Sequence, residues 1–369
     1  MHIVHILRGK ANPNTQNGVN KIVDALANTQ TQLGNTVHVF AVASNTEQRH
    51  SPSYRYTLLK EPIFSPLPSI RLLFELNKID KSAIIHVHSV FISWYPILLL
   101  FLKLKGFRKI VLTPHGGYSV FNINKNIFKK IYFLTIEKIV LFSVSKIHFS
   151  DRHEFNDLFR RHARKAIYIP NGIELLRNKP LISNSNGLIF GFMGRLKADH
   201  KGLDLLLTGF AKYKKCNGKG VLVLIGDGPD RKFLENLTTT LNISTSVYFK
   251  GHLFGEKRIE TLQTMSAFIH TSRWEGMPIS CLEAAGLGLP LLITRETNIS
   301  NYVENFNCGL IISPNDPDTI SQNLLKFDEI YDDPDRYNFI SHNSVKLIQT
   351  ELNWNNITSK ILKDLYEKD

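Results

Sequence analysis

Two glutamates bound the chemistry that this chain can do. Glu275 and Glu283 stand eight positions apart in Ser272-Arg273-Trp274-Glu275-Gly276-Met277-Pro278-Ile279-Ser280-Cys281-Leu282-Glu283. The first precedes a Gly-Met-Pro corner, and the second falls where a helical pattern has resumed. Pro278 suits the first turn of that helix, since its missing N–H would be an unpaired donor there anyway. The amides of Ile279 and Ser280 would then point out of the helix end, a natural seat for an anion. Carboxylates accept hydrogen bonds from hydroxyls and helix amides hold phosphate, so the stretch suits a phosphorylated sugar. It reads equally well as a helix start with two solvated acids, and other parts of the chain must decide.

Two further sets of residues bear on that choice. Ile110-Val111-Leu112-Thr113-Pro114-His115-Gly116-Gly117 is an apolar run with a polar, glycine-rich tip, and Ala83–Ser89 repeats the pattern, ending at His88-Ser89. Ligands of open parallel sheets bind outside the carboxyl ends of strands, which puts His115 where chemistry takes place, although a structural histidine fits there too. Arg195, in Gly194-Arg195-Leu196, and Lys201, before Gly202, supply fixed positive charge suited to phosphate.

The elements that would position these residues follow a βαβ pattern. Ile3–Leu7 reads as a strand, Arg8–Gly18 as a loop, Val19–Leu33 as a helix and Thr36–Val42 as the next strand, which implies a parallel sheet. Lys146–Phe149 is another strand, followed by a basic helix, Asp151–Arg164, capped by Ser150. Leu181–Gly187 has linker composition. Beyond it the pattern restarts, with strands at Leu188–Met193, Val221–Ile225, Val247–Lys250, Ala267–Thr271, Pro290–Thr294 and Gly309–Ile312. Several end in glycine-bearing loops, Gly226-Asp227-Gly228-Pro229 among them, as expected of a nucleotide-type cleft. The expected division is a first domain over 1–180, a second over 187–345, and a last helix in 346–369 that crosses back to the first domain. No G-x-G-x-x-G and no P-loop occurs, which removes the main support for dinucleotide and ATP-hydrolase readings.

Composition narrows the class. A chain of 369 residues with 43% hydrophobic residues suggests two globular domains. Three cysteines without C-x-x-C spacing suggest reduced thiols in a cytosolic setting. The apolar run from Ile3 reads as a buried strand rather than a signal peptide, and no segment reaches the ~20 apolar residues that span a bilayer. The net charge of +13 is uneven: residues 1–180 carry +15 and residues 181–369 carry −2. The first half is therefore expected to meet something anionic, nucleic acid or a membrane surface. Leu102–Lys109 and Ile127–Leu134 mix lysines with large apolar side chains, as interfacial segments do.

In order and spacing, Gly18, Thr113-Pro114-His115-Gly116, Pro170-Asn171-Gly172-Ile173, Gly194-Arg195, Lys201-Gly202, Gly226-Asp227-Gly228-Pro229 and Glu275-x7-Glu283 closely resemble the retaining, GT-B glycosyltransferases of the family 4 type. The resemblance implies an α/β fold of two Rossmann-like, doubly wound parallel-sheet domains facing across a cleft. It implies that Glu283 holds the ribose of a nucleoside diphosphate sugar, UDP- or GDP-linked. Glu275, with the amides of Gly276 and Met277, would hold the donor sugar, and Arg195 and Lys201 would neutralise the diphosphate. The Ile279 and Ser280 amides would complete the phosphate site, Gly18 would approach it, and His115 would contact the reacting centre. The region after Lys250-Gly251 would flank the base. Asn17-Gly18 stands where many members have two glycines, which leaves that contact open.

The implied reaction moves a hexose with retention of configuration to a glycan acceptor, lipid-linked, in bacterial surface polysaccharide assembly (O-antigen, capsule or exopolysaccharide). The leaving diphosphate itself would serve as base, with no protein nucleophile and no cofactor. No metal is expected. An anionic membrane surface is the expected partner of the basic first domain, with the enzyme on the cytoplasmic face of the inner membrane. Two alternatives stand beside this: a nucleotide-sugar epimerase of GT-B fold, and a basic nucleic-acid-binding protein. The second leaves the Gly-Arg, Lys-Gly and Glu-x7-Glu set unexplained.

Overall fold

A computed structural model describes residues 1–13, 17–45, 51–60, 67–124, 126–162, 164–174 and 187–367. It forms two compact units, Met1–Gly172 with Trp354–Asp369, and Ile173–Asn353. The segment read as a linker lies, but for Gly187, outside the described residues.

Among the described residues the first unit is built on seven strands: β1 (His2–Arg8), β2 (Thr36–Ala43), β3 (Arg55–Lys60), β4 (Ile84–His88), β5 (Ile110–Thr113), β6 (Lys146–Phe149) and β7 (Ala166–Tyr168). They lie in the order β3-β2-β1-β4-β5-β6-β7, every pair parallel. Helices cover both faces of a parallel sheet, so its central strands read as continuous apolar runs. Five consecutive residues of β1 are buried, and Val4, Ile6, Ile85, Val87 and Leu112 belong to one core with Trp94, Tyr95 and Phe149. The edge strand β3 has a single fully buried residue, Leu59. Register brings His5 beside His86, and His88 beside Thr113.

Within this unit the helix Gly18–Gln32 is capped by Asn17, whose side chain accepts from the amides of Val19 (2.9 Å) and Asn20 (3.4 Å). The helix Arg152–His162 departs from expectation at its start. Asp151, not Ser150, supplies the cap: its Oδ1 accepts from the Glu154 amide at 2.9 Å. Both residue types cap well, and a one-residue shift in the turn selects between them. The last segment, Trp354–Lys360 followed by a π-helical stretch Ile361–Glu367, belongs to this unit, with Ile361, Leu365 and Tyr366 buried.

The second unit has six strands among the described residues: β8 (Ile189–Met193), β9 (Val221–Ile225), β10 (Val247–Gly251), β11 (Ala267–His270), β12 (Leu291–Thr294) and β13 (Gly309–Ile312). Their order is β10-β9-β8-β11-β12-β13, again parallel throughout. Phe190, Phe192, Leu206, Leu207, Phe210, Leu224, Ile269 and Phe327 form its core and are fully buried. In each sheet the chain turns to opposite sides of one strand, β1 in the first and β8 in the second. At such a switch point the tips of neighbouring strands diverge and leave room for a ligand.

Candidate functional site

In the second unit the site is assembled from the tips of β8, β9 and β11. Gly194 and Leu196 follow β8 and are held by the β9 tip, the Gly194 amide bonding to the Ile225 carbonyl and the Leu196 amide to that of Asp227, both at 3.0 Å. Gly226 and Gly228 are required by this packing, because a Cβ on Gly226 would lie 1.9 Å from the Gly194 carbonyl oxygen and one on Gly228 2.4 Å from that of Leu196. The Gly-Asp-Gly motif thus backs the turn that presents Arg195. Arg195 itself is exposed and has no ion-pair partner among the described residues.

A single helical turn, Ala198–Lys201, ends at Gly202, whose φ of +61° is left-handed. A Cβ there would lie 2.0 Å from the Thr271 carbonyl oxygen, so only glycine lets this turn pack on the β11 tip. Arg273 fastens the same junction, binding both carboxylate oxygens of Asp204 (2.8 and 2.6 Å) and the carbonyl of Asp199 (2.9 Å). Such a planar fork fixes geometry as well as charge.

The junction brings Lys201 and Glu275 together: Lys201 Nζ donates to Glu275 Oε2. Both side chains are largely buried, and His270 Nε2 lies 3.6 Å from the same oxygen. Burial alone would push the Glu275 carboxyl up. The neighbouring His270 and the Lys201 ammonium outweigh it and hold the group down at about 2. Glu275 is therefore an anion at neutral pH, suited to accept hydroxyl hydrogen bonds.

Pro278 is the N-cap residue of the helix Ile279–Gly286, one position before its first turn, with no side-chain cap. Its carbonyl takes the amides of Cys281 and Leu282, which leaves those of Ile279 and Ser280 ahead of the intrahelical ladder. Glu283 lies inside this helix, buried, and pairs with Arg258 Nη1 at 3.1 Å. Arg258 comes from the helix Gly255–Gln263 just after Lys250-Gly251. The structure therefore gathers Lys201, Glu275, Gly276, Met277, Ile279 and Ser280 along one turn and helix start, with Glu283 one turn in. Nothing in the sequence singles out Arg258, Arg273 or His270, because their partners are remote in the chain.

In the first unit His115 stands at the β5 tip with a left-handed φ of +55°, followed by Gly116 at +80°. Glycine adopts this region freely, but a histidine held there needs support from its surroundings. Glu154 provides it, accepting from the amides of Gly116 (3.0 Å) and Tyr118 (2.6 Å). Burial pushes this carboxyl up to about 8 against the opposing pull of those amides. The sequence reading does not single out Glu154. Gly18 occupies the start of its helix, and a Cβ there would meet nothing within 4 Å among the described residues, whose packing does not demand glycine at that position.

Behind His115 lie His88, His5, His86 and His148, all buried. Burial lowers His115 to about 3 and His5 and His148 to about 4, and takes His86 and His88 well below the usual range, so the rings are neutral. The period-two spacing of His86 and His88 and the alternation around His5 and His148 are visible in the sequence, but the strand order that unites them is not. His5, His86 and His88 offer nitrogens within 4.8 Å of one another, a separation suited to a metal. All six nitrogens are already engaged in hydrogen bonds, however, so ligation would break the cluster apart.

Comparison with known proteins adds to this geometry. A family model described as glycosyl transferases group 1 matches residues 175–344, and one described as glycosyltransferase family 4 matches residues 16–177. The Escherichia coli UDP-Gal:alpha-D-GlcNAc-diphosphoundecaprenol alpha-1,3-galactosyltransferase is 27% identical over 325 residues, covering 82% of this chain and 80% of that protein. A solved glycosyltransferase from Rickettsia africae superposes with a TM-score of 0.75 at 16% identity, covering 100% of this chain and 99% of that one. HepE from Anabaena, in complex with UDP, gives a TM-score of 0.74 at 14% identity, with 100% of both chains covered.

Proposed function

The chain belongs to the glycosyl transferases group 1 and glycosyltransferase family 4 and has the GT-B fold, and from this premise we propose that it transfers a hexose from a nucleoside diphosphate sugar, with retention, to a lipid-linked glycan acceptor. The observation that carries the reading is the pairing of ionised Glu275 with Lys201 beside the uncapped start of the helix that contains Glu283. This combines an acceptor of hydroxyl hydrogens, its ammonium partner and amides ahead of the helix ladder, which is the set a sugar phosphate needs.

Glu283 takes the ribose hydroxyls and Glu275 the hydroxyls of the sugar, with the amides of Gly276 and Met277. Donor binding gives Lys201 a second anion, and with Arg195 and the amides of Ile279 and Ser280 it stabilises charge on the departing diphosphate. The diphosphate deprotonates the acceptor hydroxyl on the face it leaves, the new C–O bond forming there as the old one breaks. His115 contacts the sugar at the reacting centre, and Gly18 leaves room for the diphosphate. The reaction needs neither metal nor cofactor, since fixed cations already meet the developing charge. Donors linked to UDP or GDP both fit this chemistry.

The name of the Escherichia coli relative, with its diphosphoundecaprenol acceptor, supports a lipid-linked acceptor and a place in surface polysaccharide assembly. The first unit also exposes apolar side chains among lysines. Phe128, Ile131, Phe142 and Leu104 are exposed beside Lys129, Lys130, Lys103 and Lys105, and the Lys103 ammonium sits 4.4 Å from the Phe142 ring centre. No described helix is long and apolar enough to cross a membrane. We assign this face to an anionic leaflet, on the cytoplasmic side of the inner membrane. Retention on vesicles that rises with anionic lipid and falls with salt is the expected result, and indifference to lipid charge contradicts it.

The division of labour is tested by two variants. Glu275→Ala should reduce transfer far more than it weakens binding of the free nucleoside diphosphate, and Glu283→Ala should weaken that binding itself. Equal effects from both refute the assignment.

A further inference from the structure

The imidazoles behind His115 form one directed chain of hydrogen bonds, and we propose that it fixes His115 as the Nε2–H tautomer and leaves its Nδ1 as an acceptor for a substrate hydroxyl. The meeting with substrate rests on the function proposed above. The tautomer rests on geometry alone.

The direction of the chain is set at its far end. His148 Nε2 lies 2.8 Å from the carbonyl oxygen of Ile169, which can only accept, so Nε2 carries the hydrogen. The buried ring is neutral, so its Nδ1 is a lone pair, and Thr113 Oγ1 donates to it at 2.9 Å. Thr113 has then spent its one hydrogen, and His86 Nε2, 2.6 Å away, must donate to it. His86 Nδ1 in turn accepts from the Tyr366 hydroxyl at 2.6 Å.

From Tyr366 the chain turns back toward the strand tip. The phenolic oxygen, its hydrogen committed, receives the Gln30 Nε2 amide at 3.4 Å. A flipped Gln30 would set its oxygen against an oxygen with no hydrogen left to share, so Oε1 faces His5, and His5 Nε2 donates to it at 2.7 Å. His5 Nδ1 accepts from His88 Nε2 at 2.9 Å, and His88 Nδ1 accepts from His115 Nε2 at 3.1 Å. What remains is His115 Nδ1, shielded from solvent and without a hydrogen-bond partner among the described residues. A buried lone pair without a donor is costly, which is the expected state of a group reserved for a ligand.

A chain that ends on a carbonyl cannot export a proton, so it acts as a tautomer lock rather than a proton wire. Thr113, Tyr366 and Gln30 are positioning residues in this scheme. They act through His115 and need not touch substrate. It also gives the last segment of the chain a task, since Tyr366 supplies the hydroxyl that sets the direction of the half of the chain nearest His115.

The lock is testable by two-bond ¹H–¹⁵N correlation spectra of the full-length protein labelled with ¹⁵N-histidine, in which the two neutral tautomers have distinct patterns. Wild type and Thr113→Ser, which keeps the hydroxyl, should show His115 as a single Nε2–H tautomer. Thr113→Val and Tyr366→Phe free the chain to run in either direction, and His115 should become a mixture. Should Thr113→Val not fold, Tyr366→Phe, which loses one hydroxyl from the last segment, makes the same test. An Nδ1–H tautomer in wild type overturns the lock, as does a single unchanged tautomer in the Val and Phe variants. In turnover, Thr113→Val should lose kcat with nucleoside diphosphate affinity unchanged, and Thr113→Ser should restore it. A mixed tautomer with undiminished kcat overturns the role of Nδ1 at the substrate while leaving the lock standing.

Discussion

Replacing Glu275 by Gln removes one negative charge from a nearly dry site and leaves the Lys201 ammonium without its partner. The Glu275 carboxyl titrates at about 2 in the folded protein against an ordinary value of 4.5. At 1.36 kcal/mol per pKa unit the ionised form gains about 3 kcal/mol from folding. The sign follows from the depressed value. Stability is fully present above the unfolded pKa and is lost as pH falls toward 2, with about 2 kcal/mol gone by pH 3. Glu275→Gln cannot titrate, so it should lower stability by about 3 kcal/mol at pH 7 and by distinctly less at pH 3, within the range for breaking one side of a buried pair. Denaturant unfolding of both proteins at the two pH values, followed by circular dichroism, measures the difference. The reasoning is refuted if the gap between wild type and variant is the same at pH 3 and pH 7, because an ionised, charge-stabilised Glu275 cannot produce that result.

Other consequences follow from the same geometry. Gly202→Ala should destabilise the protein by at least about 2 kcal/mol, since it combines a left-handed backbone with a Cβ driven onto the Thr271 carbonyl; a shift in Tm below 2 °C would contradict that packing. Glu154→Ala strands the amides of Gly116 and Tyr118 and should cost about 2–4 kcal/mol, with the exchange protection of both amides lost. Because the Glu154 carboxyl is raised to about 8, its contribution should weaken as pH rises from about 4.5 to about 8, a slope absent from the variant. Transfer by metal-stripped enzyme should be insensitive to EDTA, and a large loss would count against charge neutralisation by Arg195 and Lys201.

Much of the fold was legible because both sheets are parallel. Strands buried on two faces read as apolar runs, and the tips that follow β5, β8, β9 and β11 carry the glycines, histidine and acids that mark a site. The strand β3 was not legible: at the sheet edge Arg55, Thr57 and Lys60 interrupt its apolar pattern. Pairings were the other gap. Lys201 meets Glu275 across 74 positions, Arg258 meets Glu283, and Glu154 reaches back 38 residues to clamp the turn beside His115. Each depends on the side-by-side order of strands, which no local pattern encodes. The histidine chain shows this most clearly. Its members are visible one by one, yet they become one network only when β4 lies between β1 and β5 and the last segment supplies Tyr366.

The central claim is that the residues around Glu275 and Glu283 bind a nucleoside diphosphate sugar, and ligand-induced stabilisation tests it directly. A panel of UDP-, GDP- and ADP-hexoses, each added to wild type, Glu283→Ala and Glu275→Ala, is read as the shift in Tm. A donor present at about 100 times its Kd adds about 2.7 kcal/mol of apparent stability. The account predicts that at least one donor raises the Tm of wild type. It also predicts that Glu283→Ala abolishes that shift, and that Glu275→Ala retains a response to the free nucleoside diphosphate. A panel in which no donor moves the wild-type Tm, or in which Glu283→Ala responds as fully as wild type, contradicts it.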